Sequence, residues 1–303
     1  MWPFDRGGWS SLYLALYTLT WALHAVFVGY VVAGTGVALV RGKTSLGAHV
    51  RDRLPFMLGC GITAGVGPLL FMQLLYQRRF YTANLLLGPR WMLVGPALIA
   101  GFYALYLAKV AQPKIKRLAL AAGLGAFVFV AYSWSELHEL QLDEPAWRAF
   151  YEAGHRVYFT GAIPLRAVMY LAGAVAMFAT VTAWSTERRT MAKVAIASIV
   201  ACAIPAAILG ANVAHGWLYI LIAAAVVAVI GFALVVRDPD GRGLHVATGG
   251  VTAAVIAGAG VREAPRIAMI EPVRSESGGL VVFALTFVFG CAAIAWIVRV
   301  TRS

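Results

Sequence analysis

The sequence predicts an all-α polytopic transmembrane helical bundle of eight to nine spans, with one amphipathic interfacial helix in its fourth loop. Three observations predict it. The 303 residues are 61% hydrophobic and only 13% charged, outside the range of an ordinary soluble domain. Apolar runs of about 18 residues or more recur along the whole length, each long enough to cross a bilayer. Short segments of alternating polarity, the mark of a membrane barrel, are missing, and backbone groups in lipid are then satisfied only within helices.

The apolar runs divide the chain, as a single integral membrane domain over 1–303, into nine segments. They are 9–40, 54–76, 91–111, 117–137, 165–184, 191–210, 216–236, 244–261 and 279–299. The eighth, LHVATGGVTAAVIAGAGV, is the weakest, being mostly Gly and Ala; a buried or re-entrant helix is its alternative reading. The N-terminus, MWPFDRGGW, lacks the basic region of a signal peptide, and the apolar run behind it is too long for one. A retained first helix is expected.

Loop charge sets the expected orientation. Arg41, Lys43, Arg51, Asp52 and Arg53 give the first loop a net +3, and Lys109, Lys114, Lys116 and Arg117 give the third +4. Glu187, Arg188, Arg189 and Lys193 add +2 in the fifth. The fourth loop, with Glu136, Glu139, Asp143, Glu144 and Glu152 against Arg148, Arg156 and Arg166, is −2. The odd loops are therefore expected in the cytoplasm of a bacterial inner membrane and the fourth loop outside. Nine spans place the N-terminus outside and the C-terminus, with Arg299 and Arg302, inside. The overall charge of +12 then belongs to cytoplasmic loops facing membrane lipid, and nucleic acid is not an expected partner.

The second segment is the most unusual. Gly61 and Gly65 form a GxxxG pair that admits a neighbouring backbone. Pro68 interrupts the helical hydrogen bonds, and Gln73 lies about one turn from the outer end. The chain then exits through Gln77-Arg78-Arg79-Phe80-Tyr81, a basic cluster on the side where positive charge is not expected. Tight packing is one account of this segment. A cavity lined by Gln73 is the other, with Arg78 and Arg79 clamping an anionic head group or a partner's carboxylates. Tyr81 would sit at the interface. Asn84–Leu87 is read as a short re-entrant stretch.

In the fourth loop, Asp143-Glu144-Pro145 signals a helix start. Trp147, Phe150, Tyr151 and Tyr158 then fall on one helical face, and Arg148, Glu152, His155 and Arg156 on the other. An amphipathic helix lying on the outer surface follows, suited to docking a partner. Glu152-xx-His155 and Glu136-x-His138-Glu139 have spacings that suit a metal, but no third ligand is specified.

His24, in TWALHAVFVGY, is an ionisable residue at mid-membrane depth, where such groups usually face a cavity or a cofactor. Its alternatives are a neutral histidine hydrogen-bonded inside the bundle, an axial ligand of a b-type haem, and a quinone or proton role. A second axial ligand is not at hand among the histidines, since His215 and His245 sit at helix ends and His138 at the outer end of the fourth segment; Met169, in the first turns of the fifth, could serve as a thioether ligand. Haem b or quinone are thus the cofactors the pattern admits, and otherwise none. Nucleophile elbows, zincin motifs and P-loops are absent. The three cysteines, Cys60, Cys202 and Cys291, are scattered and form no CxxC.

The run GITAGVGPLLFMQLLYQRRFYTANLLL, with LHAVFVGYVVAGTG before it, resembles a motif of uncharacterised polytopic bacterial membrane proteins associated with respiratory c-type cytochromes. The resemblance covers about the first third of the chain. It implies a respiratory context, with partner subunits that include a periplasmic c-type cytochrome. It also implies a histidine early in the fifth helix, where LRAVMYLAG has Met169 instead. The resulting expectation is a membrane subunit of an electron-transfer complex that contacts quinone or a b-type haem. Its site would be His24, Gln73, Arg78, Arg79, Tyr81 and Met169. A transporter or lipid- and anion-handling protein, and a purely structural anchor, are the alternatives.

Overall fold

A computed structural model describes residues 9–154, 157–210, 215–270 and the isolated positions 285, 288 and 289. Eleven helices run through the described residues: α1 (Trp9–Val40), α2 (Ser45–Leu75), α3 (Gln77–Leu87), α4 (Pro89–Met92), α5 (Val94–Val110), α6 (Pro113–Leu142), α7 (Trp147–Glu152), α8 (Ala162–Ala183), α9 (Arg188–Gly210), α10 (His215–Arg237) and α11 (Gly243–Glu263). Short 3-10 stretches occupy Glu144–Ala146 and Ala264–Met269, and no strand occurs among the described residues. Eight helical segments are long and apolar enough to cross a membrane. The chain is therefore a multi-pass membrane helical bundle.

The segment 244–261 is one of the eight, as a span reaching Gly243–Met269. The ninth segment, 279–299, apart from positions 285, 288 and 289, and the residues Cys291, Arg299 and Arg302 lie outside the described residues. So do His155 and Arg156.

Even-numbered crossings alternate the loops between two ends of the bundle. One end carries 41–44, 111–112, 184–187 and 238–242, with Lys43, Lys109, Lys114, Lys116 and Arg189 around it; it is the Lys114 end. The other carries α3, α4, α7 and the C-terminus of α11, and is the Arg78 end.

Packing differs between the two ends. Toward the Lys114 end the core is aliphatic and rich in alanine, with Val50, Leu54, Ala179, Ala192, Ala228 and Ala247 among its fully buried members. Small residues let helix backbones meet where there is no hydrophobic drive between helices in lipid. At Gly231 of α10 a Cβ would lie 2.3 Å from the Ala247 nitrogen of α11, so the two helices touch backbone to backbone there. At the Arg78 end the core is aromatic: Tyr13, Tyr17, Phe71, Tyr76, Phe80, Phe150 and Tyr158 pack together.

Two sequence expectations need correction. The amphipathic helix of the fourth loop is only six residues long, Trp147–Glu152. Gly154, at φ +72°, turns the chain out of the helix in a conformation that favours glycine. Tyr158 therefore lies beyond α7, although its ring still meets Phe150 edge-on at 5.7 Å. The stretch Asn84–Leu87 is the end of α3, an eleven-residue helix with Phe80, Ala83, Leu86 and Leu87 buried. Gly88, at φ +57°, then separates α3 from α4.

Candidate functional site

The site residues expected from sequence fall into three places. His24 lies on α1 against α2. Its Nδ1 is 2.8 Å from the Gly61 carbonyl oxygen. A carbonyl only accepts, so the neutral ring carries its proton on Nδ1 and leaves Nε2 as the bare nitrogen. The Cε1–Nδ1 edge of the imidazole abuts Gly65, where a Cβ would come within 2.7 Å of Cε1. Thr20 packs on Gly67 in the same way, 3.0 Å from where a Cβ would sit. The GxxxG pair thus serves the α1–α2 contact, and it seats the histidine ring.

Gln73 accepts a hydrogen bond of 3.3 Å from the Tyr81 hydroxyl, one helix on. Met169, on α8, is half-buried, and its carbonyl accepts from the Cys202 thiol at 3.5 Å. Gly29 meets Met177, and Tyr30 meets Phe178 with ring centroids 5.3 Å apart, so α1 and α8 run parallel in a fixed register. That register places Met169 level with Trp21, about 4.5 Å along the axis from His24 at 1.5 Å per residue.

Arg78 and Arg79 converge on one carboxylate of their own chain. Arg78 grips Glu144 with both terminal nitrogens, at 2.7 and 3.0 Å. Arg79 reaches the same group at 2.6 Å and the Gln141 carbonyl at 3.0 Å. Both guanidiniums lie near the Trp147 ring, at 5.6 and 6.0 Å from its centroid. The hydrogen bond from Arg78 is the main cause holding the Glu144 carboxyl below its ordinary range. The basic exit of α2 is therefore held by the fourth loop, two guanidiniums on one carboxylate.

The same logic repeats across the Arg78 end. Arg90 of α4 pairs with the fully buried Glu136 of α6. The other oxygen of Glu136 accepts the backbone N–H of Tyr158 at 2.7 Å. Arg166 of α8 holds Glu139 through two nitrogens, at 2.8 and 2.5 Å. Tyr158 donates its hydroxyl to Asp143 at 2.5 Å; burial first, and then this bond, push the phenol above its usual pKa. Trp147 donates to the Leu140 carbonyl at 2.7 Å. Glu136, Glu139 and Glu152, whose spacing suited a metal, are thus each bound by an arginine. No group of three His, Cys, Asp or Glu side chains gathers among the described residues.

Beneath this surface lies a buried cluster that sequence reasoning missed. It centres on Arg262, Glu263 and Arg266 at the end of α11. Arg266 donates to Glu263 at 3.0 Å and to the Gln141 side chain at 2.8 Å, and stacks 4.1 Å over the Tyr76 ring. The Tyr76 hydroxyl donates to the other oxygen of Glu263 at 2.7 Å. Arg262 is 3.7 Å from Glu263 and lies against the faces of Trp21 and Tyr17, 5.4 and 5.9 Å from their centroids. Two guanidiniums therefore share one carboxylate in a dry place. The signal was present in VREAPR, but those charges follow the apolar run and look like loop residues.

Arg262 Nε, too far from Glu263 for a hydrogen bond, makes only that 3.7 Å ion-pair contact. Buried polar atoms in proteins are nearly always paired. In comparison with known proteins, the chain matches no family model, and no curated protein sequence is similar to it.

Proposed function

We propose that this protein is the membrane subunit of a bacterial respiratory electron-transfer complex, with its Arg78 end on the periplasmic side, contacting quinone and docking a c-type cytochrome. The observation that carries the reading is the Arg78 end itself. Ion pairs tie α3 to the fourth loop, α4 to α6 and α6 to α8, cross-linking this end. Exposed Tyr151, Val157 and Phe159 stand around it. A rigid mixed surface of aromatic and charged groups suits the capture of a partner. The Lys114 end, rich in lysine and arginine, suits the cytoplasmic side.

Of the two cofactors, quinone has the better support. A haem ligated by His24 Nε2 needs a second ligand, and Met169 is the one thioether at that level. A quinone needs hydrogen-bond donors in an apolar setting, and the cluster around Arg262 has them.

The test is purification of the tagged full chain from its native membranes. The expected result is a co-purifying haem-staining cytochrome and quinol-dependent reduction of it. Both should weaken in a Tyr151→Ser/Phe159→Ser variant that still folds. A preparation with no haem protein and no quinol-linked activity overturns the reading. The alternative, anion or lipid-head-group handling, is favoured by one observation: two guanidiniums share the single carboxylate of Glu263. Uptake of an anion into liposomes by the chain alone would select it.

A further inference from the structure

We propose that the α5–α6 hairpin holds an anionic phospholipid of the leaflet at the Lys114 end, with its phosphate on the first turn of α6 and an acyl chain in the groove between the two helices. The site is separate from the Arg78 end and stands whether or not the chain carries electrons.

α5 sits at the edge of the bundle, packed on α6, α2 and the short α4. One side of the hairpin faces inward, with Leu105, Ala108, Leu120 and Phe127 buried. The side turned to lipid is an open apolar groove, lined by the small Ala104, Ala119 and Ala122 and the larger Leu107 and Leu118. Its mouth lies at Val110 and Ile115, beside the turn, and on α5 it reaches down to Ala100. Val110 to Ala100 is ten residues of helix, or about 15 Å. That is half of a hydrocarbon core of about 30 Å, the depth of one leaflet. The groove therefore matches an acyl chain whose head group lies at the Lys114 end.

Charge selects the head group. The stretch 109–117 carries Lys109, Lys114, Lys116 and Arg117 and no acid. The other turns at this end hold Asp52, Glu187, Asp238 and Asp240. Asp52, Glu187 and Asp240 pair with Arg51, Arg41 and Arg188. None of the four cations of 109–117 makes an ion pair among the described residues. Lys114 and Lys116 flank Ile115 in sequence, so two of them stand at the mouth of the groove. The start of α6 adds donors. Gln112 makes no side-chain capping bond, and Pro113 at the first position has no N–H. The N–H groups of Lys114 and Ile115 are left open at the positive end of a 30-residue helix. Such an end receives phosphate. A zwitterionic head group would bring its own cation against these four, and an anionic one brings none. A second copy of this chain, seated here by two-fold symmetry, would bring the same uncompensated cations to the same depth.

The experiment is native mass spectrometry of the purified full chain, delipidated in detergent and titrated with dioleoyl phosphatidylglycerol or dioleoyl phosphatidylcholine. The wild type should hold phosphatidylglycerol roughly fivefold more tightly or better, the scale of one basic side chain at an anionic surface. Lys114→Gln/Lys116→Gln should abolish that preference. Lys43→Gln/Arg189→Gln removes the same charge from other turns of this end and should leave the preference intact. Ala100→Leu/Ala122→Leu fills the groove at two exposed positions. It should weaken phosphatidylglycerol by roughly fourfold, as for one methylene kept out of apolar contact. Thermal unfolding checks the fold of each variant, and Lys114→Gln alone, a single exposed change, keeps the test if the double variant does not fold. Equal binding of the two lipids by the wild type overturns the proposal. A preference lost equally in both charge variants overturns it too, because that is the general attraction of a basic surface for anionic lipid. Undiminished phosphatidylglycerol binding in Ala100→Leu/Ala122→Leu removes the acyl-chain groove. A lipid-free wild-type dimer that this variant splits, with no lipid preference, assigns the face to a second copy instead.

Discussion

His24 and Gly65 are fitted to one another: the imidazole lies where a Cβ at position 65 would stand, 2.7 Å from Cε1 and 2.8 Å from Nδ1. The ring cannot retreat without breaking its hydrogen bond to the Gly61 carbonyl. Gly65→Val should therefore destabilise the bundle by about 1–3 kcal/mol, the usual penalty of overpacking. Pairing it with His24→Ala, which vacates the space, should recover part of that loss. Thermal unfolding in detergent measures both. Equal stability of Gly65→Val and the wild type would mean that the helices are not this close.

A larger effect is expected at Glu136. Its carboxylate is fully buried, and it is held by Arg90 and by the Tyr158 N–H. Arg90→Ala leaves a buried charge without its counter-ion, which typically costs about 3–5 kcal/mol. Replacing Glu136 by Gln as well removes the charge itself and should restore much of the stability. The double-mutant cycle reads the coupling directly, and additive losses would show that the pair contributes little.

The bundle was legible in the sequence because long apolar runs admit few alternatives in lipid. The run 117–137 matches the middle of α6, and 244–261 nearly the whole of α11. Their ends were misread for one physical reason. Hydropathy counts every charge as isolated, and a charge paired across helices continues a helix instead of ending it. α6 runs on through Glu136, His138 and Glu139 to Leu142, and α11 through Arg262 to Glu263. The partners are remote in sequence: Arg90 and Glu136 are 46 residues apart, and Arg266 and Gln141 are 125 apart. No local pattern names them. Arg78 and Arg79 stood out because they broke the charge rule, and the same remoteness hid Glu144 as their partner.

Acid should loosen the fourth loop first. The Glu144 carboxyl sits below its ordinary value of 4.5 because Arg78 hydrogen-bonds its charged form. A depressed folded-state pKa contributes stability above the unfolded value, and that stability is lost as pH falls through the folded one. The group is partly exposed, so the effect is local and modest. Proteolysis within 143–161 should be slow at neutral pH and accelerate once the pH falls below the ordinary carboxylate value of 4.5. Glu144→Gln should show the faster cleavage already at neutral pH. A cleavage rate that is flat with pH in the wild type, or a slow Glu144→Gln variant, would show that the carboxylate does not hold the loop.

The last prediction concerns the contact between α10 and α11, where backbone meets backbone. A Cβ at Gly231 would stand 2.3 Å from the Ala247 nitrogen, and one at Gly250 would stand 2.5 Å from the Ala228 nitrogen. Neither obstacle is a flexible side chain, so a substitution must push the helices apart along their length. Gly231→Val should cost about 3 kcal/mol or more, at the upper end for overpacking. Gly249 is adjacent in sequence to Gly250 but has nothing within 4 Å of its Cβ position. Gly249→Ala should change stability by no more than about 0.5 kcal/mol. The two variants have similar chemistry and opposite surroundings, so their difference isolates the helix contact. Equal behaviour of the two in unfolding would remove the backbone contact as the element that positions the buried arginines.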